Sequence, residues 1–334
     1  MRIALDAMGG DYAPDQIIAG ALEAIDLIDD DEIVLVGDES VIRRHLGNNG
    51  NDHSRLSIEH APEVVAMDDP PVEALRRKRK SSIAIMAKLA AAGTVDVVIS
   101  AGNTGACVAA CQLRMRLLPG VQRPGILVVF PTFHGPVVVC DVGANIAPKP
   151  SHLHQYALMA MIYTRDVLDV ACPTVGLISI GQENAKGNEL VKKTNQLLRN
   201  DERVNFVGNV ETRDFLNRPA DVIVCDGFVG NVILKLTEGL AEGLFKAIMR
   251  EIAQIKPAMV DQFRPIIDRL YAQHDYNEYG GAPLLGVAGT CIICHGSSDA
   301  RAIKNAIVCA RRRASLNIND KIAREVQSVT VLEG

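Results

Sequence analysis

The sequence predicts an α/β protein: three layers, α/β/α, around a mostly parallel sheet with helices on both faces. Three observations carry this. Apolar runs of strand length alternate with segments of helical period. Four of the runs end in small-residue turns that open a helix: Ser100-Ala101-Gly102-Asn103-Thr104-Gly105-Ala106, Asp141-Val142-Gly143-Ala144-Asn145, Asp226-Gly227-Phe228-Val229-Gly230-Asn231 and His295-Gly296-Ser297-Ser298. No repeat, low-complexity segment or clear linker breaks the rhythm, so residues 1–334 read as one α/β domain, or as two lobes around one cleft.

The elements follow in order. Residues 2–6 form a strand, followed by the turn Ala7-Met8-Gly9-Gly10-Asp11. Pro14 suits the first turn of a helix that runs to about residue 27. Strands at 33–36 and 56–60 flank a short helix at 41–46. One helix is expected over 72–92, after Pro70-Pro71, then a strand at 95–99 and a helix at 105–117. The runs 126–130 and 137–140 lie either side of a short turn and predict a hairpin. A helix at 151–168, a strand at 175–180, a helix at 189–199, an extended run at 206–210 and a strand at 222–225 come next. Residues 231–255 form a long amphipathic helix broken by Pro257, and 261–273 a second helix. Together they predict a helical hairpin that protrudes over 231–275, with an apolar tip at Ile255, Met259 and Val260. Packing on its own domain, a dimer arm and a membrane-touching tip all fit such a hairpin. A strand at 288–294 and a helix at 298–314 follow; the helix ends in Arg311-Arg312-Arg313, where cations suit the dipole.

Composition excludes several functions. A net charge of −5 and a pI of about 5.9 argue against nucleic acid as the partner. Trp is absent and aromatics are 4%, so base-stacking platforms are not expected. No run has the length of a signal peptide or a spanning helix, and the expected location is cytoplasmic. The eight cysteines are then expected reduced, with Cys107, Cys111, Cys140, Cys172, Cys225 and Cys309 as small buried hydrophobes.

The four turns carry the chemistry. Free N–H groups at a helix start favour an anion. In the first turn Gly102 and Gly105 admit a ligand to the backbone, and Asn103 and Thr104 add side-chain donors. An ordinary strand-to-helix turn fits the same residues. The spacing matches neither a Walker A loop nor a dinucleotide fingerprint. Asp226 ends a buried strand, Asn231 could cap the long helix, and Lys235 lies four residues on, on the same helix face. Lys186, between Gly181 and Gly187, is a point charge suited to phosphate, or a solvated surface lysine. Cys291-Ile292-Ile293-Cys294-His295 spells a haem-attachment motif, but on a strand residues three apart face opposite ways. His295 is the better candidate there. His152 and His154 are too close in sequence for a helical metal pair, and no metal is expected. Arg76-Arg77-Lys78-Arg79-Lys80 is a solvated helix face or a dock for an acidic partner or anionic surface.

Taken together and in order, the first, second and third turns, the 6–11 motif, Lys235, Gly280-Gly281-Ala282-Pro283-Leu284-Leu285-Gly286 and His295-Gly296-Ser297 resemble the PlsX-type phosphate acyltransferases of bacteria. The resemblance spans essentially the whole chain. It departs at Ala147, where an Asp is expected, and at Gln182, where the first of two glutamates is expected. It implies a fold similar to isocitrate/isopropylmalate dehydrogenases and phosphotransacetylases. It also implies transfer of a long fatty acyl group from acyl carrier protein to inorganic phosphate, for a downstream glycerol-3-phosphate acyltransferase in phospholipid synthesis. No cofactor is implied; a homodimer and peripheral membrane contact are. On this reading Gly102, Asn103, Thr104 and Gly105 hold phosphate, helped by Lys186 or His295. Asn103, Asn145 and Asn231, with Gly230, supply phosphate or oxyanion donors, and Asp226 orients the lysine or histidine. The run 76–80 meets carrier protein or lipid, and the tip meets membrane. Two rivals are an NAD(P)-dependent β-decarboxylating dehydrogenase, whose aspartate cluster is not evident, and a non-catalytic carrier-protein or lipid scaffold, which would not need so many polar glycine turns.

Overall fold

The computed structural model describes residues 1–28, 30–47, 54–273 and 279–330. Strands β1 (Arg2–Asp6), β2 (Glu32–Gly37), β3 (Leu56–His60), β4 (Val97–Ser100) and β11 (Thr290–Ile293) form one parallel group, ordered β3-β2-β1-β4-β11. Strands β6 (Gly135–Cys140), β9 (Val222–Val224), β7 (Thr174–Ile178) and β8 (Asn205–Val210) form another, ordered β6-β9-β7-β8. Two strands join them into one sheet: β10 (Ala282–Leu285) and β5 (Gly125–Thr132), each antiparallel to both its neighbours. The three reversals make the two parallel groups run in opposite senses.

Register decides where the site forms. Ala282 of β10 faces Ile293, Leu284 faces Ile126, and the next residue of β5, Leu127, faces Cys140. The carboxyl ends of β11 and β6 therefore reach nearly the same level across the sheet. The turns that follow the strands of both groups meet there. A crevice at the carboxyl ends of strands is where α/β sheets bind ligands.

Alternation of side chains sorts the core onto the two faces. In β1, Ile3 and Leu5 join a cluster with Ile17 of α1 (Asp15–Ile25), Ile42 of α2 (Glu39–Leu46) and Ile303 of α10 (Ala300–Ser315). Ala4 faces the other way, toward Met86 of α4 (Ser82–Ala91) and Cys107 of α5 (Thr104–Arg114). On the second group, α6 (Pro150–Val167), α7 (Glu189–Asn200) and α11 (Ile318–Thr330) cover one face through Tyr156, Leu198 and Ile322. The opposite face takes the start of α8 (Gly227–Ile255), through Ile233 and Leu234.

Several expectations are corrected. The helix expected over 72–92 is two, α3 (Pro71–Arg77) and α4, because Ser81 accepts from the Ala84 N–H at 3.4 Å and starts a new helix. The long helix begins at Gly227, and its cap is Asp226, whose Oδ1 accepts from the Val229 N–H at 2.9 Å; Asn231 lies inside it. Strand β11 is shorter than 288–294. Strand β10 and helix α11 were not anticipated, although Ile318, Ile322 and Val326 hold helical spacing and are buried. Cys172 is exposed and Cys309 half-buried. Cys291 and Cys294 enter core clusters on opposite faces of the sheet, and the Cys291 sulfur lies 3.5 Å from Cys111 and 3.8 Å from Cys107. Among the described residues no helix is long and apolar enough to cross a membrane.

The junction of the two groups rests on Asp141, which is fully buried. Its Oδ1 accepts from the N–H groups of Ile126, Gly143 and Ala144 at 3.0–3.1 Å, and its Oδ2 from that of Asn145 at 2.7 Å. Burial pushes the carboxyl up, and the four main-chain donors oppose it. Helix α8 closes on this turn with no room for side chains: a Cβ on Gly230 would stand 1.9 Å from the Asp141 carbonyl oxygen, and one on Gly227 2.7 Å from that of Asn145.

Replacing Asp141 with Ala strips the acceptor from four main-chain donors, the buried Ile126 N–H and the half-buried ones of Gly143, Ala144 and Asn145. With ~1–3 kcal/mol for the buried donor and less for each of the others, a loss of about 3 kcal/mol is expected in urea unfolding. Asp141→Asn, which keeps one acceptor oxygen, is expected to lose less. Gly230→Ala must displace α8 or the turn, and a loss of about 3 kcal/mol is expected.

Candidate active site

Two helix starts face the crevice from opposite groups of the sheet. Helix α5 follows β4, and α8 follows β9. The crevice encloses about 490 Å³. Thr104, Gly105, Asn231, Lys235 and His295 line its polar part, and Ile126, Val128, Val142, Ile146, Phe228 and Leu234 are among its apolar wall.

The α5 start is held from below and from the side. Asp6, buried at the end of β1, accepts from Ser100 Oγ at 2.7 Å and from the Met8 N–H at 3.2 Å. Burial pushes its carboxyl up, against these hydrogen bonds. The 6–11 motif supports the turn by close approach: a Cβ on Gly9 would lie 2.7 Å from the Gly102 nitrogen. That Gly102 N–H donates to Ser100 Oγ at 3.1 Å. Asn103 caps α5 by accepting from the Ala106 N–H at 3.0 Å, and its amide donates to the carbonyls of Ala66, Met67 and Asp69 at 3.0–3.1 Å. It is buried and wholly engaged, so it is no donor to a ligand. Thr104 and Gly105, the first two residues of α5, line the crevice, and their main-chain N–H groups belong to the helix's positive end.

Other expected residues fall elsewhere. The Asn145 amide is held by the Pro124 carbonyl at 2.7 Å and by Tyr156 Oη at 2.8 Å. Asp226 serves α8 as its cap and does not orient a lysine or histidine. Gly230 supplies close packing, not a ligand contact. Lys186 is exposed and outside the crevice lining, because its loop folds back on itself through Lys186 N–H to the Glu183 carbonyl. His152 and His154 are separately engaged, by the Lys149 N–H at 3.0 Å and by Asp201 at 2.8 Å.

The side chains that meet across the crevice are Lys235 of α8 and His295 after β11. Lys235 Nζ contacts His295 Nε2 and donates to Glu238 Oε2 at 3.1 Å. On the other side of the ring, Nδ1 lies 2.7 Å from Ser297 Oγ and accepts from the Ser297 N–H at 3.2 Å. Burial pushes His295 below its ordinary pKa; the Lys235 charge acts the same way, and Glu238 opposes both. On balance the surroundings favour the neutral imidazole, with Asp11 opposing it as Glu238 does. Glu238 was missed by sequence reading, and Lys235 was noted for its place on the helix face of Asn231 and as part of the family motif, without a catalytic role. The signal was present in the spacing 231, 235, 238 on one helix.

The basic run flanks the crevice. Pro71, the first residue of α3, would lie 2.6 Å from a Cβ on Gly105, and Met67 lines the opening. Arg76, Arg77, Arg79 and Lys80 are exposed, whereas Lys78 is half-buried and paired with Asp69 at 2.5 Å.

Comparison with known proteins agrees with this architecture. A phosphate acyltransferase from Halothermothrix orenii is 45% identical over 332 residues, covering 98% of each chain. One from Pelotomaculum thermopropionicum is 45% identical over 333 residues, 99% of this chain and 96% of its own. The fold is shared with a phosphotransacetylase from Streptococcus pyogenes, with a TM-score of 0.61 at 16% identity over 94% of each chain. A 4-hydroxythreonine-4-phosphate dehydrogenase from Klebsiella pneumoniae gives a TM-score of 0.53 at 13% identity, over 96% of this chain and 97% of its own. The profile of the fatty acid synthesis protein family matches residues 1–321, and the chain belongs to that family.

Proposed function

We propose that the chain is a phosphate acyltransferase that moves a long-chain fatty acyl group from acyl carrier protein to inorganic phosphate. Full-length identity of 45% to enzymes of that name supports it. The single observation that carries the reading is the meeting of two helix starts with Lys235 and His295 on one crevice that also has an apolar wall.

Phosphate is held at the α5 start by the Thr104 and Gly105 amides, with the Lys235 ammonium and His295 on the facing wall of the crevice as its side-chain donors. The acyl chain lies against Ile126, Val128, Val142 and Leu234, where its thioester carbon reaches the phosphate. A phosphate oxygen attacks the thioester carbonyl, forming a C–O bond and then breaking the C–S bond. The Lys235 ammonium, with the Asn231 amide, meets the charge that develops on the carbonyl oxygen. The proton of the monoprotonated phosphate ends on the departing carrier thiolate, relayed by the neutral His295. Glu238 positions Lys235. This sequence draws on no metal and no redox cofactor. Lys186 takes no part in it.

The surroundings extend the reading. The exposed arginines of 76–80 dock the acidic carrier protein beside the crevice mouth. Helix α8 carries Val232, Leu236, Leu240 and Leu244 at four-residue spacing, all exposed, and α9 (Val260–Gln273) packs on it. That stripe is the face on which two copies pair as a homodimer. The hairpin of α8 and α9 protrudes, and Ile255, Met259 and Val260 at its tip rest on the cytoplasmic side of the membrane, where acyl phosphate passes to a glycerol-3-phosphate acyltransferase. The finer kinship of the fold is with the isocitrate/isopropylmalate dehydrogenases, as one domain with its crevice between two lobes.

Lys235→Ala and His295→Ala are each expected to lower acyl phosphate formation at least about 100-fold, with Lys186→Ala within about threefold of the parent. Because burial lowers the His295 pKa, the neutral relay is present above the usual imidazole range and lost as pH falls through the lowered value. The ratio of parent to His295→Ala turnover is therefore expected to shrink on acidification. Turnover unchanged in the Lys235 and His295 variants would remove both from the mechanism. For the tip, Met259→Asp with Val260→Asp is expected to abolish liposome co-sedimentation while soluble turnover persists; retained co-sedimentation contradicts the assignment.

A further inference from the structure

A second cavity lies behind β10 and β11, at the end of β11 away from His295. It encloses about 140 Å³ between that strand pair, α6, and the junction of α10 with α11. An apolar cavity of about 150 Å³ in another protein holds benzene, so this one has room for a group of about five or six heavy atoms.

Its chemistry is that of an anion site. Arg313 lines it and is 6% exposed. Nη1 donates to the carbonyls of Gly280 at 3.0 Å and Gly281 at 3.4 Å, and Nη2 donates to that of Tyr279. These are neutral dipoles, and no carboxylate pairs with Arg313 among the described residues. A buried charge without a counter-ion is costly, and arginine cannot lose its proton. The guanidinium lies 5.6 Å from the centre of the Tyr163 ring. Tyr163 lines the same cavity; its hydroxyl is buried against the Arg313 side chain, which can only donate to it, and its own O–H finds no acceptor among the described residues. Such orphaned groups are rare and call for a partner. Thr290 and the residues that open α11, Asn317 and Asn319, complete the wall. Asp320 also lines it but is exposed, where solvent screens its charge.

We propose that this cavity binds a compact oxyanion, held by Arg313 and the Tyr163 hydroxyl. Inorganic phosphate and a short carboxylate share the required chemistry: oxygen acceptors, a full negative charge and the right size. Bound there, the anion ties the amino end of β11 to α10 and α6. The assignment stands independently of the function proposed for the crevice.

The test is calorimetric titration of the full chain with sulfate, phosphate and formate. The parent is compared with Lys235→Ala/His295→Ala, Tyr163→Phe, Arg313→Gln and Ala314→Glu. The crevice double variant is expected to keep one anion per chain. Tyr163→Phe is expected to weaken that binding about tenfold, and Arg313→Gln to abolish it. Ala314→Glu, which tethers a carboxylate inside the cavity, is expected to abolish anion binding there and raise the melting temperature in anion-free buffer. Formate binding without phosphate or sulfate binding would assign the cavity to carboxylates, and the reverse to phosphate-like ions. If Arg313→Gln does not fold, Tyr163→Phe and Ala314→Glu still decide. Parent-like anion binding in both, or no anion bound by the crevice variant, overturns the proposal. A crevice variant that binds as many anions as the parent, with one lost in Tyr163→Phe, instead contradicts the crevice as a phosphate site and leaves this one standing.

Discussion

The buried Asp141 carboxylate holds the two parallel groups of strands in working relation. One oxygen reaches back to β5 through Ile126, and both gather the amides of the turn that follows β6. The Cys140–Asp141 pair exchanges main-chain hydrogen bonds with Cys225, the residue after β9: the Asp141 N–H donates to the Cys225 carbonyl at 3.1 Å, and the Cys225 N–H donates to the Cys140 carbonyl at 3.0 Å. Helix α8 then lies directly on this turn because Gly227 and Gly230 carry no side chain. A charge in the core is tolerable only when it is saturated with donors, and Asp141 is.

The crevice follows from that arrangement. Antiparallel joining strands bring the carboxyl ends of two opposed parallel groups to one level, so α5 and α8 start on the same opening. Lys235 reaches His295 across it because α8 is anchored at its first turns by Ile233 and Leu234. Farther along, α8 leaves the core, and its apolar stripe is exposed. One helix thus serves the site at its start and, on the proposed reading, assembly and membrane contact along its length.

Much of this was legible in the sequence. Alternating apolar runs and helical periods located most of the strands and helices, and the hairpin at 125–140 was evident from two β-rich runs around a short turn. The turn glycines pointed to the right place for a partly different reason. Gly105 borders the crevice, but Gly9, Gly227 and Gly230 serve backbone-to-backbone packing. Sequence cannot tell a free amide from an engaged one. Asn103 and Asn145 read as donors, yet three-dimensional neighbours far along the chain occupy them. Lys186 and Lys235 look alike as isolated cations; only the register of the sheet decides which one faces His295. The division of 72–92 into two helices hung on one buried serine, and β10 was hidden in a glycine-rich motif.

The central claim is that the starts of α5 and α8 form one phosphate-receiving opening. Hydrogen–deuterium exchange with and without inorganic phosphate tests it most directly. Phosphate is predicted to slow exchange in peptides covering 102–107 and 226–231 together, and to do so less when Lys235 is replaced by alanine. Protection confined to one of those segments, or absent from both, would contradict it.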